Sequence, residues 1–378
     1  MDNNCIRILR IVSVMDRGGI ETQIMNIYRK LDRNNFQFDF LVTRDEKGIF
    51  DDEINKLGGQ IYHVPSIRKV GLFKFVKSID NFFKKHSEYK IVHSHMNTWS
   101  GLFLHIAKKY KIPIRIAQSH SAQQGIKSTS VKEILESIFK GVMKLFIKSG
   151  ATHFWAVSEA AGKWLFGVEI ANSKMKIIPN AKDLNIYKFD LDARESLRKD
   201  LGISPSTLVV GHVGSFSPVK NHLFLVELFS ELRKLESDSV LCLVGDGILF
   251  NNIKNEVLKK GLEEYVLFLG SRNDVHKLMS AFDVLVLPSK FEGMPNVVIE
   301  AQATALSCII SDSITKEVDM GMGIVEFVSL SDKFDNWIKA IIKGSNNSRN
   351  IKITNMRTIG YDLDELVISL QEFYKYNI

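Results

Sequence analysis

Short apolar runs alternate with segments of helical periodicity along nearly the whole chain. In the first half, these runs predict strands at residues 6–14, 36–42, 60–65, 90–95, 114–120, 152–158 and 176–180. Helix-period segments such as IETQIMNIYRKL lie between most of them. Strand followed by helix, repeated in this way, is typical of a parallel sheet covered by helices on both faces.

The same pattern starts again after a charged, irregular stretch at residues 183–205. Strands are predicted at residues 207–214, 240–247, 265–271, 283–289 and 306–312, with helical segments such as NHLFLVELFSELRKL between them. Two doubly wound, Rossmann-like domains in tandem explain this repetition better than one large sheet. We therefore predict an α/β protein with domains at residues 1–183 and 184–350. The final segment, 351–378, is predicted to be a helix that packs back on the first domain.

The composition adds few constraints. Hydrophobic residues make up 45% and charged residues 25% of the 378 positions, which is ordinary for a soluble globular protein. The net charge of +7 is compatible with nucleic acid, anionic lipid or polyanionic ligands, but no nucleic-acid-binding motif supports the first. The three cysteines show no CxxC spacing, which suits a reducing compartment, and the two in apolar runs, Cys242 and Cys308, are expected to be small buried hydrophobes. No secretory signal or membrane span is evident, so a cytoplasmic location is expected.

Ligands of open parallel sheets bind beyond the carboxyl ends of the strands, and two such sheets facing each other are expected to form a central cleft. The most informative segment follows the strand at 283–289. There, Glu292 and Glu300 are separated by seven residues, and Pro295 suits the first turn of a helix. The backbone amides of residues 293–297 would then form an anion site at the start of that helix.

Other candidates also follow predicted strands. Lys220 lies in the loop after the strand at 207–214, where its ammonium group is well placed to meet a diphosphate. Gly18 and Gly19 follow the first strand and allow a phosphate or sugar to approach the backbone closely. His120 is the last residue of the run predicted as a strand at 114–120. The first strand leads into MDRGG rather than GxGxxG, which disfavours a dehydrogenase.

The chain resembles the retaining family 4 glycosyltransferases of the GT-B fold, particularly bacterial exopolysaccharide and capsule members. The motifs that carry the resemblance are DRGGIETQIMNIYRKL, VHSH, RIAQSHS, VSEAAGKWLFG, IIPNAKDLNIYKF, VGSFSPVKNH, LVGDG and EGMPNVVIEAQATALSCIISDSIT. They span essentially the full chain. The resemblance implies two Rossmann-like domains facing a central cleft.

The resemblance also implies roles for individual residues. Glu292 would contact donor-sugar hydroxyls, Glu300 would hold the ribose, Lys220 would bind the diphosphate, and His120 would lie near the reacting centre. Ser215 stands where the family commonly has an arginine on the diphosphate, and Arg272, after a neighbouring strand, is the candidate to replace it. The predicted donor-binding set is Gly18, Gly19, Lys220, Arg272, Gly293, Met294, Pro295, Asn296 and Glu300, with His120 and Glu292 as catalytic residues.

The implied activity is a hexosyltransferase that moves a sugar from a nucleotide sugar, with a UDP-sugar favoured, to a growing lipid-linked exopolysaccharide, capsule or O-antigen glycan. No cofactor and no metal are expected, and retention would follow front-face attack, with Glu292 as a covalent nucleophile the alternative. A nucleotide-sugar epimerase or hydrolase of the same fold remains open. So does a non-catalytic partner subunit, because Ser215 weakens leaving-group stabilisation.

Two segments bear on membrane contact. Residues 131–149 place apolar residues at helical spacing among lysines, and residues 68–77 mix basic and aromatic residues. Such segments can lie on an anionic membrane surface. A helix that packs on the core with a solvated basic face explains the first segment equally well.

Overall fold

The computed structural model describes residues 5–16, 18–121, 131–349 and 354–378. The chain divides into two compact units: unit 1 comprises Met1–Ala181 with Leu363–Ile378, and unit 2 comprises Lys182–Asp362. Each unit is built on a parallel sheet with helices against it. The predicted α/β class with two Rossmann-like domains is therefore confirmed.

Unit 1 contains a seven-stranded sheet of order β3-β2-β1-β4-β5-β6-β7. Six of the seven apolar runs predicted as strands in the first half contain one of these strands, and the run at 176–180 overlaps β7, which begins one residue earlier. The strands are β1 (Ile6–Val12), β2 (Phe36–Val42), β3 (Ile61–His63), β4 (Ile91–Ser94), β5 (Ile114–Ser119), β6 (His153–Ala156) and β7 (Met175–Ile177).

The helices of unit 1 pack on both faces of this sheet and form two separate apolar cores. Gly71, at a φ of 75°, kinks α3 after its first turn. The helices are α1 (Gly19–Lys30), α2 (Asp51–Lys56), α3 (Ile67–Lys85), α4 (Ser100–Lys109), α5 (Val131–Gly150), α6 (Glu159–Phe166) and α7 (Val168–Ser173), and a 3-10 turn covers Asn97–Trp99.

The central strand β1 shows how alternation assigns side chains to the two cores. Leu9 and Ile11 lie in one core, whereas Ile8 and Val12 lie in the other. Arg10 shares a face with Ile8 and Val12 because successive strand side chains alternate. That face is covered by the last helix of the chain, whose residues Leu366, Leu370 and Tyr374 are buried there.

Unit 2 contains a six-stranded sheet of order β10-β9-β8-β11-β12-β13. The sequence predicted the first five strands but not β13, because its four residues are only partly apolar and follow a glycine-rich turn at residues 321–323. The strands are β8 (Leu208–Val213), β9 (Ser239–Val244), β10 (Val266–Gly270), β11 (Val284–Leu287), β12 (Ser307–Ser311) and β13 (Val325–Val328).

The stretch predicted to be irregular, residues 183–205, contains helix α8, and this prediction was wrong in that part. Polar contacts hold this helix in place: Arg194 and Arg198 both pair with Asp283, at 2.6 and 2.7 Å. Apolar periodicity therefore gave little signal. The helices of unit 2 are α8 (Leu191–Asp200), α9 (His222–Leu235), α10 (Phe250–Lys259), α11 (Val275–Ala281), α12 (Asn296–Ala303), α13 (Phe334–Ser345) and α14 (Thr354–Thr358), with a 3-10 turn at Lys316–Val318.

The chain leaves unit 1 after Ala181, close to the predicted boundary at 183/184. The second predicted boundary, 350/351, lies outside the described residues. The chain returns to unit 1 at Leu363, where α15 (Leu363–Tyr376) begins. Residues 356–362 belong to unit 2 because Met356 and Tyr361 are buried in its core.

Two further observations concern the helices and the cysteines. Across the described part of the chain, every helix is too short or too polar to cross a bilayer. Cys242 and Cys308 are buried and carry free thiols, as predicted for small hydrophobes, and Cys5 is half-buried.

Candidate functional site

The strand order of unit 2 reverses between β8 and β11, which is where ligands bind in doubly wound sheets. Lys220 lies in the loop after β8, and Glu292 lies in the loop after β11. The structure brings them together, with Lys220 Nζ 2.5 Å from Glu292 Oε1 and side chains only 16% and 19% exposed. Ser289 also donates to Glu292 Oε1, at 3.2 Å.

Close backbone packing fixes these loops. Gly245, at a φ of 136°, follows β9, and a Cβ there would lie 2.2 Å from the carbonyl oxygen of Gly214. Only glycine allows the loops after β8 and β9 to approach so closely. The loops after β8 and β11 are joined by a hydrogen bond from Lys290 N to Val219 O at 2.8 Å.

Helix α12 begins directly after the β11 loop. It starts at Asn296, so Pro295 occupies the position just before the helix rather than its first turn. The buried side-chain oxygen of Asn296 lacks a hydrogen-bond partner within the described ranges. An orphan buried acceptor at the start of a helix is a feature that a bound ligand would satisfy. Gly293 and Met294 lie in the loop that leads into this helix.

Glu300 is the fifth residue of α12 and pairs with Lys182 rather than with Lys220. Lys182 Nζ lies 2.7 Å from Glu300 Oε1, and the two side chains are 7% and 16% exposed. Burial, and then the charge of Glu300, raise the pKa of Tyr187. Sequence reasoning missed Lys182 and Tyr187, although both lie within the IIPNAKDLNIYKF motif.

Arg272, the residue predicted to replace the family arginine, forms an ion pair with Asp274. Arg272 donates to both carboxylate oxygens of Asp274, at 2.8 and 2.6 Å. Its charge is therefore partly neutralised within the β10–α11 loop. Within the described part of the chain, the Ser215 hydroxyl, at the position of the family arginine, donates only to Ser217 Oγ at 3.3 Å.

Two buried histidines lie beside Lys220. The ring of His222 stacks on Phe216 at 4.3 Å and stands edge-on to His212 at 4.6 Å. Both ring nitrogens of His222 lack a hydrogen-bond partner among the residues with described positions. Burial, and then the charge of Lys220, lower the pKa of His222 to about 4. The imidazole is therefore neutral at physiological pH and adds no cation to the site.

In unit 1, Gly18 and Gly19 lie where the sequence placed them. Gly18 is the residue before α1 in extended conformation, and Gly19 is the first residue of that helix. Glu21, in the first turn, has a pKa raised mainly by burial. Arg17, which belongs to the same DRGG motif, lies outside the described residues.

His120 follows β5 directly and contacts His95, the second histidine of the VHSH motif. His95 Nδ1 lies 2.8 Å from His120 Nε2. Burial, and then the nearby charge of Arg10, lower the pKa of His120 to about 3. The spacing of His93 and His95 in VHSH was visible in the sequence, but their connection to His120 depends on β4 and β5 being neighbours in the sheet.

Across the described part of the chain, no group of three or more His, Cys, Asp or Glu side chains is arranged to hold a metal ion. In unit 2, the two mostly buried lysines of the candidate site, Lys220 and Lys182, are each paired with a carboxylate. A diphosphate that enters such a site can exchange a protein carboxylate for a phosphate oxygen on the same ammonium group.

Comparison with protein families matches nearly all of the chain. The model for Glycosyltransferase Family 4 matches residues 17–186. The model for Glycosyl transferases group 1 matches residues 193–352. The first match therefore covers most of unit 1 and the first five residues of unit 2, and the second lies within unit 2.

Two curated relatives align over most of their length. EpsF of Bacillus subtilis (strain 168), a glycosyltransferase by inference, is 36% identical over 99% of this chain and 97% of the relative. The UDP-Gal:alpha-D-GlcNAc-diphosphoundecaprenol alpha-1,3-galactosyltransferase of Escherichia coli is 29% identical over 90% of this chain and 89% of its own.

Among solved structures, Anabaena Alr3699/HepE in complex with UDP superposes with a TM-score of 0.78. It is 19% identical over 98% of this chain and 100% of its own. At that identity, the likeness concerns the fold.

Proposed function

The chain belongs to the family 4 glycosyltransferases, and from that premise we propose that it transfers a sugar from a UDP-sugar to a lipid-linked glycan with retention of configuration. The names of the E. coli relative and of the HepE complex support UDP, and the former supports a diphosphate-lipid acceptor. The product would be a precursor of an exopolysaccharide, capsule or O-antigen.

The observation that carries the proposal is the pair formed by Lys220 and Glu292 at the switch point of unit 2. Lys220 would transfer its hydrogen bond from Glu292 to the donor diphosphate. Glu292 would then be free to accept hydrogen bonds from sugar hydroxyls. One ion pair in the free protein thus holds both donor-binding groups in position before the substrate arrives.

Glu300 is proposed to accept hydrogen bonds from the ribose while Lys182 holds its carboxylate in place. Glycosyl transfer then needs a stabilised diphosphate leaving group and an acceptor hydroxyl that loses its proton. We propose that Lys220 and the amides at the start of α12 stabilise the leaving group without a metal. A donor phosphate oxygen would take the acceptor proton on the same face of the sugar.

A groove of about 450 Å³ in unit 1 supports a lipid-linked acceptor. It lies at the carboxyl ends of β1 to β4 and combines an apolar wall with a rim that carries both charges. Its lining includes Ser13, Thr43, Arg44, Asp45, Glu46, Ser66, Ile67, Arg68, Lys69, Phe75, Met96, Trp99 and Phe103. Arginines suit phosphate oxygens, and the aromatic wall suits a sugar face or an isoprenoid chain.

Exposed apolar side chains on two helices of unit 1 support attachment to an anionic membrane. Leu135, Ile138 and Leu145 lie on the outer face of α5, and each is more than half exposed. Phe73, just past the kink of α3, is 93% exposed. Trp99 contacts both helices, since its ring lies 6.0 Å from Phe75 and 4.9 Å from Phe139. Lysines flank both apolar stretches, as expected for a surface that meets anionic lipid.

Donor turnover tests the proposed function. Purified protein is incubated with a panel of UDP- and GDP-sugars, a lipid-linked glycan extract and EDTA. We expect acceptor-dependent release of UDP and a glycosidic bond of unchanged configuration. Release without acceptor would identify an epimerase or hydrolase instead. No release with any donor would favour a non-catalytic subunit, consistent with Ser215.

Vesicle sedimentation tests the membrane contact separately. We expect the protein to pellet with phosphatidylglycerol vesicles and not with phosphatidylcholine vesicles. The triple variant Phe73→Ser, Leu135→Ser, Ile138→Ser should stay in the supernatant. Leu258→Ser in α10 is the matched control, because Leu258 is comparably exposed but lies in unit 2. Equal binding by the triple variant and the wild type would contradict the assignment of this surface.

A further inference from the structure

The buried face of β1 carries a charged residue, Arg10, that has no role in the proposed sugar transfer. Arg10 is almost fully buried among Phe38, Tyr374 and two histidines. No carboxylate pairs with it within the described residues, whereas Arg7 on the same strand pairs with Asp39. Burying an arginine without a carboxylate partner costs desolvation free energy, which its hydrogen bonds to neutral groups must offset.

Three groups accept hydrogen bonds from Arg10. Tyr374 OH accepts from Nη2 at 2.8 Å, and His95 Nε2 accepts from Nη1 at 3.3 Å. His93 Nδ1 accepts from the same Nη1. The guanidinium carbon also lies 4.0 Å from the centre of the Phe38 ring. These contacts hold the charge in place through α15, although Tyr374 is 364 positions away in sequence.

The direction of these bonds determines where the histidine protons lie. A guanidinium can only donate, so His95 Nε2 must accept. A neutral His95 then carries its proton on Nδ1, which faces His120 Nε2 at 2.8 Å. His120 Nε2 must therefore accept, and its own proton must lie on Nδ1. Burial lowers the pKa of His95 well below its usual value, which keeps this ring neutral.

We infer that Arg10 and His95 act as positioning residues that fix His120 in its Nδ1–H tautomer, so that Nδ1–H is free to donate to a bound substrate. No partner for His120 Nδ1 is present among the residues that the structure describes. The inference rests on the proposed role of His120 in transfer. A neutral donor held in one tautomer can hydrogen-bond a sugar hydroxyl oxygen without adding a second positive charge beside Arg10.

Nitrogen-15 NMR of the histidine side chains tests the tautomer in the full chain without substrate. His120→Gln identifies the His120 signals by their loss. We expect wild-type His120 to be protonated on Nδ1 at pH 7.5. Protonation on Nε2 would overturn the inference. Because no donor or acceptor is present, this result does not depend on whether the proposed transfer activity is correct.

Two substitutions at His95 separate positioning from packing. His95→Gln keeps one acceptor for Arg10 and one donor for His120, whereas His95→Leu keeps only bulk. We expect His95→Leu to mix the tautomers of His120 and to lower kcat about 10- to 100-fold with an unchanged KM for the donor. His95→Gln should restore both the tautomer and most of the turnover.

Equal loss of turnover in both His95 variants, or a His120 tautomer unchanged by His95→Leu, would contradict the inference. If His95→Leu does not fold, the wild-type spectrum and His95→Gln still decide the question. Tyr374→Phe removes one acceptor from Arg10 but leaves the bond to His95 in place. It should therefore leave the tautomer of His120 unchanged.

Discussion

Units 1 and 2 hold polar side chains near the ends of similar sheets, but they stabilise them in opposite ways. In unit 2, Lys220 and Lys182 are paired with Glu292 and Glu300. In unit 1, a buried arginine is surrounded by neutral histidines and a tyrosine. At the carboxyl edge of a sheet, a lysine in an ion pair can exchange its carboxylate partner for a charged group of a ligand. A buried network of neutral acceptors instead fixes the direction of each hydrogen bond, because breaking one of these bonds leaves an N–H group of Arg10 without an acceptor.

The largest effect is expected at the exchangeable pair. Lys220→Ala should lower kcat/KM for the donor about 100- to 1,000-fold, because the ammonium group is proposed to face the charge that develops on the diphosphate. Glu292→Gln should reduce turnover but leave the affinity for UDP unchanged or higher, since Lys220 loses its competitor. Titration calorimetry with UDP and initial rates measure the two effects. Lys290→Ala, at an exposed lysine after β11, is the control.

The second pair is expected to combine binding with stability. Glu300→Ala leaves the buried Lys182 without its partner, which should cost about 3 kcal/mol of unfolding free energy and weaken UDP binding about tenfold. Adding Lys182→Met should recover stability, measured by urea unfolding, but not UDP affinity. Recovery of both stability and UDP affinity would show that Glu300 has only a structural role.

The histidine clusters offer a matched pair of substitutions. His95→Phe removes the acceptor for Arg10 and the donor to His120, so we expect a loss of about 2 kcal/mol. His222→Phe replaces a ring that already stacks on Phe216 without hydrogen bonds, and it should be nearly neutral. Urea midpoints at pH 7.5 compare them. Equal losses would contradict the difference between the two clusters.

Acid should weaken both units through a buried histidine in each, His120 in unit 1 and His222 in unit 2. The pKa of His120 is lowered to about 3 and that of His222 to about 4, mainly by burial. In the unfolded chain these histidines titrate near pH 6.5. The free energy of unfolding is therefore retained above pH 6.5 and falls as the pH drops from 6.5 towards the pKa values of the folded protein. Each such histidine contributes about 1.4 kcal/mol per pH unit in that window. His222→Phe should make the unfolding free energy less dependent on pH between 6.5 and 5, because one fewer proton is taken up on unfolding.

Local patterns in the sequence were sufficient to locate most of the sheet structure. The seven strands of unit 1 and β8 to β12 of unit 2 lie in apolar runs, and α15 shows clear helical periodicity. Helix α8 and strand β13 were missed because arginine contacts to Asp283 and a short, half-buried strand leave little apolar signal. The family motifs also placed Lys220 and Glu292 in loops after strands and Glu300 in the helix that follows β11.

The partners of those residues were decided by the tertiary structure. Lys182 meets Glu300 across 118 positions, and Arg10 meets Tyr374 across 364 positions. Apolar alternation reports which face of an element is buried, because burial is a property of each residue and its near neighbours. Ion pairs and histidine tautomers depend on which strands become neighbours and where the chain returns. The sequence therefore determined most of the elements and the first candidate residues, whereas the partners, charge states and hydrogen-bond directions of those residues came only from the fold.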